Sequence, residues 1–266
     1  MKLILFLFFT IGTIQIKGQN LIDSVIFKVT YNSTYKLGQE SSIKQDIQIL
    51  EIGHEISKYY SRYDYEFQHT RDSLKKSGLN EMEMQQRLYG GKGLNSGENY
   101  QVFKNYPDEG KLTYTYVIFN FPYLYEESMP AMKWNLVEGD TIIGGYNCKK
   151  AVCELRGRTW TAWYTFDLPY SDGPWKLCGL PGLILEAKED EGIFTFSFAG
   201  IERCDAPMTF SHKNKYERCT PKQLQDAFSD YCKQGSSWVI RKATGLSVDM
   251  GTGEKSFTPC LIEHYE

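Results

Sequence analysis

No cysteine precedes Cys148. The start of the chain therefore offers no thiol for a lipid anchor. Histidine is scarce, and His54, His69, His212 and His264 are scattered. No HExxH, GxSxG or GxxxxGK[ST] pattern occurs, so the local signatures of a zincin, a nucleophile elbow and a phosphate loop are all missing. Their absence weighs little against catalysis, because active sites are assembled in space. The cysteines contain no CxxC; the closest pair is Cys148-x4-Cys153, poor spacing for zinc. A formal charge of −3 gives no broad attraction to nucleic acid. Beyond the N-terminus, no apolar run approaches the ~20 residues that span a bilayer.

The N-terminus has a definite pattern. Met1-Lys2 is a short basic start, Leu3 to Ile16 is almost wholly apolar, and Gly18 supplies a small residue before Gln19. This is the layout of a cleavable secretory signal over residues 1–18, placing the mature protein in the periplasm or outside the cell. A buried strand or an uncleaved anchor is the structural alternative. In an exported protein the seven cysteines, Cys148, Cys153, Cys178, Cys204, Cys219, Cys232 and Cys260, read first as disulfide candidates, with one left over. No metal or cofactor is expected. Aromatic residues make up 15 % of the chain, 19 of them Tyr, which suits β-structure.

Period-two alternation starts at Val25, Phe27 and Val29 and resumes over Ile43–Ile52 and Lys58–Phe67. Asp72–Tyr89 loses its β-branched residues and reads as one or two short helices, stopped by Gly90, Gly91 and Gly93. Further strands are expected at Tyr100–Lys104 and Leu112–Phe121, and then, after a loop bracketed by Pro122 and Pro130 and turns at Gly139-Asp140 and Gly144-Gly145, from Tyr146 to about Phe166. A hairpin joins Leu183–Lys188 to Ile193–Phe198. Thr220-Pro221 opens a helix whose Leu224, Ala227, Phe228 and Tyr231 form one apolar stripe. The tail from Gly235 is weakly patterned. The expected fold is α+β and β-dominated: a curved antiparallel sheet, half-barrel or sandwich with one to three short helices. Residues 19–266 form a single domain with a Cys-rich C-terminal extension over about 204–266.

Four blocks stand in order between Gly144 and Ile184: Gly144-Gly145-Tyr146-Asn147-Cys148-Lys149-Lys150-Ala151, Arg156-Gly157-Arg158-Thr159-Trp160-Thr161-Ala162-Trp163-Tyr164-Thr165, Asp172-Gly173-Pro174-Trp175-Lys176-Leu177, and Gly179-Leu180-Pro181-Gly182-Leu183-Ile184. The chain resembles the GLPGLI family, named for the last hexapeptide. The resemblance implies an exported protein of Bacteroidetes-type bacteria, with no established activity and a frequent link to TonB-dependent outer-membrane receptors. Cys148 matches a common family position; Cys153 and Cys178 do not. At fold level the pattern is also similar to the half-barrel of LolA-type lipoprotein carriers.

Read as physics, Gly179 to Gly182 is a tight turn delivering a buried strand, and the same residues could let backbone approach a ligand. In the strand Leu155–Thr165, Arg156, Arg158, Trp160 and Tyr164 share one face, and Trp163 lies on the other. Arg158 near a buried face needs a carboxylate, with Glu186 the first candidate and Asp172 the second. Arg158, Trp160, Trp163, Trp175 and Glu186 are the candidate ligand-binding residues, for an anionic group or peptide carboxylate; a structural ion pair is the alternative reading. The expected function is that of a non-catalytic binding or accessory protein, its partner an outer-membrane receptor or an apolar or peptide ligand. A partner-binding module without a pocket and a hydrolase are the alternatives.

Overall fold

The computed structural model describes residues 19–89, 97–211, 215–247 and 256–265. The expected signal segment, the stop glycines Gly90, Gly91 and Gly93, and His212 lie outside the described residues. Twelve strands form one open, curved sheet, so the α+β, β-dominated expectation holds and the sheet is not a closed barrel. In chain order the strands are β1 (Gln19–Tyr35), β2 (Lys44–Gly53), β3 (Ser57–Ser61), β4 (Tyr100–Lys104), β5 (Lys111–Ile118), β6 (Phe121–Ser128), β7 (Asn135–Ile143), β8 (Tyr146–Leu155), β9 (Arg158–Thr165), β10 (Leu183–Glu189), β11 (Thr195–Ser211) and β12 (Glu217–Arg218). Across the sheet they run β12-β6-β5-β4-β3-β2-β1-β11-β10-β9-β8-β7. Every pairing is antiparallel except the short β12–β6 contact. The helices are α1 (Arg62–Lys76), α2 (Glu81–Tyr89), α3 (Pro221–Gln234) and α4 (Ser236–Thr244), and no described helix is long and apolar enough to cross a membrane.

Two meanders thus meet at the long β1–β11 ladder. Val29 and Tyr31 of β1 are fully buried between them. The Tyr31 hydroxyl donates to the Ile184 carbonyl at 2.7 Å, tying the two halves across the interior. The segment between β9 and β10 fills the space enclosed by the sheet. Trp175, Lys176 and Leu177 in it have no exposed surface. Lys104, at the end of β4, pins this segment by donating to Asp172 and to the carbonyls of Gly173 and Leu177. Gly182 belongs to the same packing: a Cβ there would lie 2.0 Å from the Thr165 carbonyl oxygen, so only glycine permits this approach.

Several local expectations change. Lys58–Phe67 is not one strand, because Ser61 caps α1: its hydroxyl accepts from the Asp64 N–H at 3.1 Å, and the chain turns helical at Arg62. His69 lies in α1, and His54 lies in the β2–β3 turn. Pro122 does not open a loop; it sits inside β6. Gly139-Asp140 is not a turn but an irregularity within β7, where the register slips between Val137 and Asp140. The weakly patterned tail contains α4, held by Trp238 against Phe121 and Tyr231.

The disulfide expectation is also corrected: all seven cysteines are free thiols. Cys148 and Cys153 illustrate the reason. They stand five residues apart on β8, roughly 17 Å at strand rise, too far for the ~4.4–6.8 Å Cα separation of a disulfide. Burial raises the thiols of Cys153 and Cys232 to about 12, which keeps them unreactive.

Candidate functional site

The expected site residues do not form one site. Trp160 and Trp175 pack together inside the core, ring centres 5.5 Å apart, and Trp160 stacks on Phe196 at 5.9 Å. Both indoles are fully buried. Trp163 lies on the opposite face of β9, with the Lys150 ammonium 5.8 Å from its ring centre and Glu186 as its cross-strand partner. Glu186 therefore does not meet Arg158, and Asp172 is taken by Lys104. The buried Arg158 guanidinium instead donates to Glu189 and Glu191, each at 3.0 Å, and to the Leu261 carbonyl at 2.9 and 2.6 Å. Glu189 is itself buried and accepts from the backbone N–H groups of Glu191 and Phe194. Every atom of this pair is spent on structure.

A bulge explains the exchange of partners. The β9–β10 register slips between Ile184 and Glu186. After it, Glu186 faces Trp163 and Glu189 stands opposite Trp160 on the inner face. A one-residue slip moves every following side chain to the other face.

What Arg158 holds is the C-terminal segment, 256–265, which crosses the opening of the sheet. Its backbone is tied down along its length. The Cys260 N–H donates to the Leu37 carbonyl, and the His264 N–H donates to that of Arg156. Side chains anchor it deeper. The fully buried Lys176 ammonium donates to both carboxylate oxygens of Glu263, at 2.8 and 2.7 Å, to Glu127 at 2.6 Å and to the Tyr125 hydroxyl at 2.8 Å. Arg156 completes the neutralisation by pairing with Glu127 at 2.7 Å. Two acids and two bases thus share one network, buried except at Arg156.

Between this segment, α3 and the sheet lies a cavity of about 100 Å³. Its floor is tyrosine: Tyr35 from β1, Tyr100 from β4, Tyr114 and Tyr116 from β5, and Tyr125 from β6. Leu224 and Phe228 of α3 form its roof, and Ile262 and Tyr265 of the C-terminal segment close one side. The floor rings stack in series. Tyr59 lies on Tyr100 at 6.3 Å, Tyr100 on Tyr114 at 5.6 Å, and Tyr114 on Tyr125 at 5.0 Å. Burial raises the hydroxyls of Tyr100, Tyr114 and Tyr116 well above the ordinary phenol range, so the floor is uncharged.

Of the two carboxylates that line the cavity, Glu263 is paired with Lys176, and Glu98 differs. Glu98 reaches the cavity beside Asp46. The Gln48 side-chain amide donates to Glu98 at 2.9 Å, and the Glu98 backbone N–H donates to the Asp46 carboxylate at 2.9 Å. Asp46 also accepts from the Ser61 hydroxyl at 2.9 Å. Burial, reinforced by the Asp46 charge, raises Glu98 to about 8, and burial raises Asp46 as well. Among the described residues neither carboxylate has a cation within ion-pair distance. No group of three or more His, Cys, Asp or Glu among the described residues is placed to hold a metal ion.

Residues 153–186 match a family described as a protein of unknown function (Porph_ging). The match takes in the last three of the four sequence blocks and ends at Glu186. No curated protein matches. Among solved structures, PNGF-II superposes with a TM-score of 0.50 at 15 % identity, over 77 % of this chain and 32 % of that one. A second crystal form of PNGF-II gives 0.49 at 15 % identity over 76 % and 32 %. This chain therefore spans about a third of that structure's length, and the likeness concerns the fold. The LolA superfamily protein NE2245 from Nitrosomonas europaea gives a TM-score of 0.27 at 8 % identity, over 70 % of this chain and 88 % of that one.

Proposed function

We propose that the chain is an exported member of the GLPGLI family acting as a non-catalytic binding protein. In this reading its ligand group enters the tyrosine-floored cavity beneath α3. The cavity carries the reading, since it is concave, mostly apolar and furnished with few polar groups, as binding sites are. Its size narrows the occupant. Drug-sized ligands fill roughly 300–1,000 Å³, and a cavity of ~150 Å³ holds benzene. A volume of about 100 Å³ suits one side chain of a peptide or one small ligand group, not a folded acyl chain. A peptide or receptor segment anchored by a single residue is thus favoured over a carried lipid. The basic layout of residues 1–18 supports action in the periplasm or outside the cell.

The candidate residues take new roles in this reading. Arg158, Trp160 and Trp175 support the site from behind: Arg158 fixes the C-terminal segment, and the two indoles fix the floor of the core. Glu186 and Trp163, on the outer face, are left for a contact with a partner surface.

Native mass spectrometry of the protein purified from its own envelope tests the reading. The expected result is an adduct that disappears on denaturation and is lost when Leu224→Trp fills the cavity. A bare polypeptide mass in wild type, or an adduct that persists in the filled variant, would overturn it.

A further inference from the structure

The cavity has two ends, and the chain itself shows what one of them accepts. Behind the Tyr125 end of the floor, against the same rings, an ammonium is already in place, that of Lys176. It lies 5.2 Å from the Tyr114 ring centre and 5.1 Å from that of Tyr125, with Glu127 and Glu263 as counter-ions. Aromatic faces and carboxylates together are the chemistry that holds an organic cation. The far end repeats the ingredients. Tyr35, Tyr100 and Tyr116 supply neutral rings, and Glu98 supplies a carboxyl group. No described cation meets that carboxyl group. Among the described residues the one cation lining the cavity is Lys36, whose charge acts on Cys260, a thiol that burial nonetheless raises.

Resting on the binding role proposed above, we infer that the cavity binds a small organic cation, an ammonium whose charge is met by Glu98 and whose methyl or methylene groups pack on Tyr35, Tyr100 and Tyr116. The energetics favour this occupant over a neutral one. Two adjacent carboxyl groups in an apolar wall are costly when ionised, and a cation removes that cost. The volume of about 100 Å³ fits a trimethylammonium or alkylammonium group and little more.

Binding of this kind is linked to protons. Glu98 is held up to about 8 by burial and then by Asp46, so it is largely protonated at pH 6. The groups facing it are Asp46 and Gln48 of β2, Tyr35 of β1, Tyr59 of β3, Tyr100 of β4 and Tyr114 and Tyr116 of β5, and Asp64 of α1 lies behind Asp46. An arriving cation stabilises the ionised form and expels the proton. Affinity therefore rises with pH, by about tenfold per unit, and levels off near pH 8.

Isothermal titration of the full chain with choline, and with 3,3-dimethylbutan-1-ol as its neutral isostere, tests this at pH 6, 7 and 8.5. The expected result is binding of choline at least tenfold tighter than the isostere, tightening with pH, with proton release seen as a buffer-dependent heat. Glu98→Gln, which keeps shape and hydrogen bonding, is expected to lose at least tenfold for choline while keeping its weak hold on the isostere. The proton-release measurement on wild type stands independently should that variant fail to fold. Equal binding of the two probes overturns the cation inference and leaves the apolar-group reading standing. Binding of neither overturns the inference, and the native mass spectrum then decides the wider reading separately.

Discussion

Arg158 and Lys176 are both buried cations that hold the C-terminal segment, and each stays in the interior only through its carboxylate partner. Arg158 was legible from its alternation on a two-sided aromatic strand, and its need for a buried carboxylate was equally plain. Which carboxylate was not legible, because the bulge after Ile184 exchanges Glu186 for Glu189 on the inner face and leaves no mark in the residue pattern. Glu98 escaped sequence reading for a different reason. It stands in an ordinary polar stretch before Tyr100, and only the folded sheet brings it beside Asp46. Its raised pKa has a consequence for stability. A carboxyl group that is more basic when folded binds more protons in the native state than in the unfolded one. Between its ordinary value near 4.5 and about 8, stability therefore falls as pH rises. Glu98→Gln is expected to leave the thermal midpoint unchanged at pH 5 and to raise it at pH 8, by roughly 1–3 kcal/mol of stability. Thermal melts of both proteins at the two pH values check this, and parallel pH profiles would show that Glu98 titrates normally. Lys176 gives the opposite case. Lys176→Met leaves Glu127 and Glu263 buried without their main cation, and is expected to destabilise by about 3 kcal/mol or more in chemical denaturation. Adding Glu263→Gln to that variant is expected to recover part of the loss, since one unpaired charge is then removed.

Among the elements, strands were more legible than helix starts. The alternation in β1, β8 and β9 directly encodes one buried and one outer face. The first helix begins earlier than its composition suggests. Tyr63 and Tyr65 look like strand residues, and the Ser61 cap overrides them. The start of α3 was plain from sequence because its signals are chemical. The Thr220 hydroxyl accepts from the Gln223 N–H at 3.2 Å, the Gln223 side chain accepts from the Thr220 N–H at 2.8 Å, and Pro221 takes the first helical position. The role of α3 as the roof of the cavity was not legible, since it depends on which face of the sheet the helix covers. Thr220→Ala is expected to cost about 1 kcal/mol in denaturation, with no change in the far-ultraviolet spectrum beyond fraying of α3. Because Leu224 stands one turn from this cap, protection of the α3 amides against hydrogen exchange is expected to fall at the same time. Unchanged protection would mean that packing on the tyrosine floor, not the cap, holds the roof.

At the scale of the molecule, the GLPGLI turn and the C-terminal segment are two parts of one closure. The stretch that leads into the turn carries Trp175 and Lys176 in the interior of the sheet, and Lys176 reaches out to the segment that crosses the opening. Sequence could place the turn, whose glycines and proline are punctuation, but it could not place a segment held by residues as remote in the chain as Leu37, Arg156, Arg158 and Lys176. Disulfides were expected to secure this region, and ionic anchors at Arg158 and Lys176 do so instead. This makes the tail a structural member with a direct test. Deleting residues 256–266 removes the Leu261 carbonyl from Arg158 and the Glu263 carboxylate from Lys176, and it opens one side of the cavity to water. Loss of a buried charge partner alone is worth about 3–5 kcal/mol. The truncated chain is therefore expected to unfold at a much lower denaturant concentration while retaining its β-sheet spectrum under native conditions. A synthetic peptide covering 256–266 is expected to raise that midpoint again in a concentration-dependent way, because it binds only the folded sheet. Recovery should weaken in high salt far less than a surface ion pair would, since both anchors are buried. A truncated chain as stable as the whole one would make the segment a passenger on the surface, and the cavity would lose the wall that defines it.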